Sequence, residues 1–261
     1  MRNSFVLLGV VLAVMINDDV KAEPRGLRTF EETGRFKSAN AVQAAVSLGP
    51  FVYAINSKQV SKYRRDTEQE VGVSQGEAFH LNSGLAWKGK ILCAHSNYPN
   101  TPERSEVMVL DPMSMELTVW KDFGDYGGSL TWIVRRGNHW LCNFAKYGAV
   151  NSETFLVEFD NEFTEVQRWN YPPEVIEKLG TYSLSGGVWY HGRLLVTGHD
   201  AEEIYCLRIP KDGTELRFER VINVPFTGQG FALDVQGRGL VGISRARRQV
   251  IYLKEVVRFR R

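Results

Sequence analysis

The stretch from His80 to Pro99, HLNSGLAWKGKILCAHSNYP, decides how this chain is read. It opens on His-x-Asn and closes on His-x-Asn-Tyr, with two apolar runs between. SGLAW and KILCA have strand character, and Lys88-Gly89 suits a tight hairpin turn between them. Facing residues of an antiparallel pair share a constant index sum. A turn centred near Gly89 therefore sets Asn82 opposite His95 and His80 opposite Asn97. Both polar clusters would meet at the open end of one hairpin.

The hairpin recurs. QAAVSLGPFVYAINS (from Gln43), TWIVRRGNHWLCNFAK (from Thr131), GGVWYHGRLLVTGHD (from Gly186) and QGFALDVQGRGLVGISR (from Gln229) align with SGLAWKGKILCAHSN (from Ser83). Each has a small or polar start, an apolar strand, a turn containing Gly, and a second apolar strand that ends in polar residues. A third strand follows each: QVSKY, EVMVLDP, FLVEFDN, IYCLRIP and QVIYLKE. A fourth follows most: LTVWKDF, TEVQRWN and RFERVINV. Helical periodicity is nearly absent apart from PPEVIEKLG (Pro172 to Gly180).

A repeat of roughly 40–55 residues built from four short strands is the period of a β-propeller blade. The last unit lacks a fourth strand, and RTFEETGRF (Arg28 to Phe36) stands spare before the first. Pairing the two closes a ring and leaves few open strand edges. The expected fold is all-β: a five-bladed β-propeller closed by an N-terminal strand. A sixth repeat is not found.

The chain begins MRNSFVLLGVVLAVMINDDVKAEP. A positive start, an apolar run of about a dozen residues and a small residue at Ala22 read as a signal peptide over residues 1–22. The run is too short to span a bilayer comfortably. The expected protein is secreted or periplasmic, with residues 23–261 forming one domain and no membrane span after cleavage. The net charge of +2 does not suggest nucleic acid. The basic tail RRQVIYLKEVVRFRR alternates like a strand and reads as a charged edge. Three cysteines, Cys93, Cys142 and Cys206, each sit inside an apolar strand pattern. They read as buried thiols, with a Cys93–Cys142 bridge as the alternative.

The repeat pattern resembles secreted bacterial β-propeller proteins, broadly of the NHL-repeat, SMP-30-like and glutamine-cyclotransferase-like kinds. The resemblance covers the whole mature chain as a pattern only. The catalytic motifs of those families are not found, so no family residue is carried over.

In such a ring, the loops leading into first strands and leaving second strands share one face, and loops on a rigid scaffold carry function. That face collects Gln43 and Asn56 from blade one, and His80, Asn82, His95, Asn97 and Tyr98 from blade two. Blade three adds Tyr126, Thr131, Trp132, Lys146 and Tyr147. Blade four adds Tyr182, Ser185, His199 and Asp200, and blade five adds Gln229 and Arg245. His139 and His191 fall at the opposite end.

Four functions compete for these residues. His80, His95 and His199, with Asp200 or Gln229, are types that hold one divalent metal ion. In that reading a metal-assisted lyase or hydrolase uses Lys146, Tyr147 and Asp200 as catalytic groups. A small polar molecule or saccharide would use the rings of Tyr98, Trp132, Tyr147 and Tyr182 with the polar groups of Gln43, Asn82, Asn97, Gln229 and Arg245. A two-carboxylate glycosidase needs a partner for Asp200, with Glu77 and Asp125 as candidates and Asp234 nearer the far turn. The non-enzymatic alternative is a protein-interaction platform with an exposed apolar patch. The expectation is a polar axial pocket for a small polar ligand.

Overall fold

A computed structural model describes residues 26–259. Residues 1–25, where the expected leader falls, and Arg260 and Arg261 lie outside the described residues. Among the described residues the chain forms five four-stranded antiparallel sheets.

Strand β1 (Gly26–Lys37) precedes the repeats. Blade one is β2 (Ala44–Leu48), β3 (Phe51–Ile55), β4 (Val60–Arg64) and β5 (Glu70–Val73). Blade two is β6 (His80–Trp87), β7 (Lys90–Ser96), β8 (Ser105–Leu110) and β9 (Leu117–Gly124). Blade three is β10 (Ser129–Arg136), β11 (His139–Ala145), β12 (Phe155–Phe159) and β13 (Glu165–Asn170). Blade four is β14 (Gly186–Tyr190), β15 (Arg193–Thr197), β16 (Glu203–Arg208) and β17 (Arg217–Asn223). Blade five is β18 (Ala232–Asp234), β19 (Gly239–Ser244) and β20 (Gln249–Phe259), completed by β1 on its outer edge. The fold is the five-bladed β-propeller, and the N-terminal strand closes it along a register from Gly26↔Phe259 to Lys37↔Gln249.

The second strands read as continuous apolar runs because both of their faces are covered, each by a neighbouring blade. In β7, Ile91 and Cys93 pack with blade one, while Leu92 and Ala94 pack with blade three. In β11, Trp140, Cys142 and Phe144 face blade two, and Leu141 faces blade four. Cys93 and Cys142 therefore belong to different core layers. All three cysteines are buried free thiols, and the bridge alternative is not formed. Burial pushes the Cys93 thiol up to about 12.

Lys88-Gly89 is the turn of the blade-two hairpin, with Trp87 opposite Lys90 and both turn residues at positive φ (46° and 76°). This left-handed pair matches the twist of the flanking strands, and Gly takes it without steric cost. His191-Gly192 repeats the device in blade four (47° and 73°).

The register above the turn differs from the expected one. A bulge between Leu81 and Gly84 adds a residue to β6, so Leu81 faces His95 and His80 faces Ser96. The expected Asn82–His95 and His80–Asn97 pairs are thereby shifted by one. Bulges re-aim side chains, and here Asn82 Nδ2 donates across the blade boundary to the Leu130 carbonyl at 2.9 Å. Blade three repeats this: its bulge falls between Leu130 and Trp132, and Thr131 Oγ1 donates to the Leu184 carbonyl at 2.7 Å.

PPEVIEKLG forms the expected short helix, an α-turn α1 (Pro173–Ile176) continued by a 3-10 turn over Glu177–Leu179. One further difference is local: a 3-10 segment, Gly148–Glu153, joins β11 to β12 within blade three, where no helix is expected.

Candidate functional site

The upper face is where the innermost strands begin and the second strands end. Blade two places His80 at the first residue of β6, and the loop after β7 carries Tyr98. The Tyr98 ring lies 5.5 Å from His80 in an edge contact and 4.7 Å from the ring of Tyr147. Tyr147 comes from the loop after β11, beside Lys146, whose Nζ is 3.9 Å from Glu103 Oε2.

Across the face, the Tyr182 and His199 rings stack at 3.9 Å and 8°. Arg245 Nη1 donates to His199 Nε2 at 3.2 Å. A guanidinium only donates, so the His199 proton sits on Nδ1, which is 2.8 Å from Asp200 Oδ1. Arg245 follows the end of β19, and its backbone N–H donates to Thr227 Oγ1 at 3.3 Å. It also reaches His80 electrostatically. Burial first, then the neighbouring His95 and Arg245, hold the His80 imidazole below the ordinary histidine range, against a hydrogen bond from Asn82. The result is a row of two contact groups, Tyr147–Tyr98–His80 and Arg245–His199–Tyr182, coupled by charge between His80 and Arg245. No carboxylate among the described residues forms an ion pair with Arg245, and Asp200 is engaged at His199.

Other expected site residues are tied into the scaffold. His95 is buried and occupied at both nitrogens: Nε2 accepts the Phe79 N–H at 2.9 Å, and Nδ1 lies 3.0 Å from Glu106 Oε2. It braces the loop into β6 and turns no lone pair toward the row. His95 is thus set apart from His80 and His199 by its partners, and no group of three His, Cys, Asp or Glu side chains suited to a metal ion occurs among the described residues. Asn97 braces its own loop, donating to the Pro102 carbonyl and accepting the Arg104 N–H. Asn56 does likewise at Lys58 and Gln59.

Gln43, Asn82 and Gln229 are buried linkers. Gln43 donates to Ser57 Oγ, and Gln229 donates to the His199 carbonyl. Trp132 is fully buried between blades three and four, so its ring offers no ligand surface. The position of Gly187 explains this: a Cβ there would lie 2.5 Å from the Trp132 indole. Tyr126 packs in a tilted contact on Phe144 of the blade-three core and donates to Glu165 Oε2.

The carboxylates for a glycosidase do not converge either. Asp125 is exposed and caps Gly127. Glu77 lines an open groove of about 530 Å³ between blades one and two, together with Lys58, Phe79 and His95. Asp234 is at the far end, fully buried, and clamped by Arg65.

Near the upper face the innermost strands of three blades crowd together. A Cβ on Gly230 would lie 2.6 Å from the Cβ of Ala44 and 2.8 Å from that of Ser83, so the inner strands of blades five, one and two touch there. An axial cavity of about 230 Å³ instead opens at the lower end, lined by residues from all five first strands or the turns that follow them. Sequence reasoning missed it. The available signal was large side chains near the ends of first strands: Trp87 at the last position of β6, and Arg135 and Trp189 at matching places one residue before the ends of β10 and β14.

No protein-family model matches the chain, and no curated protein matches it either. Among solved structures, the chain is similar to glutaminyl cyclase from Myxococcus xanthus, with 8% identity over 89% of this chain and 100% of that one and a TM-score of 0.58. It also aligns with the mitotic checkpoint complex (9% identity, 97% of this chain and 99% of that one, TM-score 0.46). A third alignment is with the β-propeller domain of Cps50 (Swd1) from Myceliophteria thermophila (12% identity, 86% of this chain and 99% of that one, TM-score 0.46). At such identities the first of these supports the fold alone: the chain is a β-propeller.

Proposed function

We propose that the upper face binds a small polar molecule carrying a carboxylate, with acidic saccharides as the leading class. The observation that carries this reading is Arg245, a guanidinium bonded to the His199 imidazole and within electrostatic reach of His80, with no carboxylate partner among the described residues. Guanidinium recognises carboxylate through paired donors. The exposed rings of Tyr98, beside His80, and Tyr182, stacked on His199, offer flat apolar surface. The seat is built for an anion, because a neutral sugar gains little from Arg245.

Tyr147 enters as a hydrogen-bond donor. Burial raises its phenol far above the ordinary value, with Tyr98 and Glu103 adding to the shift. It stays protonated at neutral pH and donates a proton rather than abstracting one. Lys146 supplies charge beside it. Lyase or hydrolase chemistry at this face would need its base elsewhere in the row, and His80, held neutral, is the available group.

The test is calorimetry with glucuronate and glucose as a matched acid and neutral pair. Glucuronate is expected to bind at least tenfold more tightly, and Arg245→Met to remove that preference while leaving the melting temperature within about 1 °C. Equal binding of both sugars, or a preference that survives Arg245→Met, overturns the reading. Metal analysis runs in parallel: a stoichiometric divalent ion lost in His80→Ala would reassign the row as a metal centre.

A further inference from the structure

The lower cavity is chemically unlike the upper face. Its walls are Leu85 and Trp87 from blade two, Val134 from blade three, Trp189 from blade four and Leu233 from blade five. Arg135 is the one charged side chain lining it. The Arg135 guanidinium lies 4.2 Å over the Trp140 ring, and Nη2 donates to Asn161 Oδ1 at 2.9 Å. Its Nη1 is buried and has no hydrogen-bond partner among the described residues. No carboxylate pairs with Arg135 there, and burial lowers its pKa. An unpaired buried donor on a cation is costly to leave unmade. A cavity with mainly apolar walls and a few polar groups, here Arg135 and Ser47, is the usual form of a small-molecule site.

We propose that the lower axial cavity binds a small apolar monocarboxylate, its acid group on Arg135 Nη1 and its body against Trp87, Trp189 and Leu233. The site is separate from the upper-face row, since it sits where the innermost strands end. Size sets the class further. An engineered apolar cavity of about 150 Å³ holds benzene, so a cavity half as large again takes roughly nine non-hydrogen atoms. Benzoate and hexanoate match this size. Longer acids would project from the lower mouth beside exposed Val235.

The experiment titrates the full chain with benzoate and hexanoate, and with benzyl alcohol and hexan-1-ol as neutral partners, by tryptophan fluorescence and calorimetry. At least one acid is expected to bind saturably, about tenfold or more tighter than its alcohol. Arg135→Met keeps an unbranched stem on Trp140. It should cut acid affinity about tenfold and leave the alcohol unchanged. Ala86→Phe, or Leu233→Phe if the first variant fails to fold, narrows the cavity and should weaken acid and alcohol together. Arg245→Met should change neither, which separates this site from the upper face. The proposal is overturned if neither acid binds the wild-type protein saturably. It is equally overturned if each acid binds no better than its alcohol, or if acid binding is indifferent to both Arg135→Met and the cavity-filling change.

Discussion

His80 and His95 share a burial environment but differ in task. One stands in the row beside Arg245, and the other holds a loop through Phe79 and Glu106. Both titrate below the ordinary histidine value, chiefly through burial. The sign follows from proton uptake. As pH falls below about 6.5, the unfolded chain binds protons on these residues before the folded chain does. Their contribution to stability is whole above that pH and is lost as the pH drops through the folded-state values. Urea unfolding at a series of pH values should show stability falling below about pH 6.5, with a shallower slope in His80→Gln. Ligand affinity should move the opposite way: a carboxylate on Arg245 favours protonated His80, so glucuronate binding should strengthen over the same interval. A flat binding profile would remove His80 from the site. At Gly187 the expected effect is steric. Gly187→Ala presses a methyl into the Trp132 indole, and thermal unfolding should register a loss of about 1–3 kcal/mol or more.

At the scale of elements, the bulges in β6 and β10 do one job twice. Each extra residue turns a side chain sideways, and Asn82 and Thr131 tie their blades to the next through buried hydrogen bonds. Asn143 supports the second link by donating to Thr131 Oγ1 at 2.8 Å. The ring continues with Thr197 Oγ1 donating to the Gln229 carbonyl, Gly230 N–H to the Gln43 carbonyl, and Leu81 N–H to the Ser57 carbonyl. Asn82→Ala and Thr131→Val should each cost about 1–3 kcal/mol by denaturant titration, because a buried carbonyl loses its donor. The strands themselves were legible in the sequence, since second strands covered on both faces must be apolar throughout. The bulges were not: an inserted residue leaves the composition of a strand unchanged and alters only its register. β5 escaped notice for a different reason. Glu70–Val73 is an outer strand, four residues long and half exposed, without an apolar run to mark it.

For the whole molecule, the blade count and the closing strand were readable because each blade repeats one hairpin and the last lacks an edge. Which end of the axis holds a cavity was not readable. Chain order places loops on a face, while the space left along the axis depends on close approaches such as Gly230 to Ala44 and Ser83, made between blades far apart in sequence. The burial of Trp132 was hidden likewise, since a strand covered on both sides gives no alternation to show which face a ring takes. The lower end carries its own clamp from blade five to blade one. Arg65 Nη1 and Nη2 grip the two oxygens of buried Asp234 at 2.6 and 2.5 Å, and Ser47 Oγ adds a third hydrogen bond at 3.0 Å. Arg65→Met would leave Asp234 buried and unpaired, and should cost about 3–5 kcal/mol in chemical unfolding. Adding Asp234→Asn should recover part of that loss.

The pairing of β1 with β20 also has a temporal side. Arg28 and Glu255, joined at 2.7 Å, stand 227 positions apart, so β1 is made first and must wait for its partner until nearly all the chain has been synthesised. Meanwhile it presents an unpaired edge, and the search for β20 is the longest loop closure in the fold. Rearranging the order of the chain removes that delay. Linking Phe259 to Gly26, which already face each other, and opening the exposed loop at Asp125 would make the closing pair a local hairpin and keep every blade continuous. Such a permuted chain should refold faster in stopped-flow experiments, with an unfolding rate close to that of the native order.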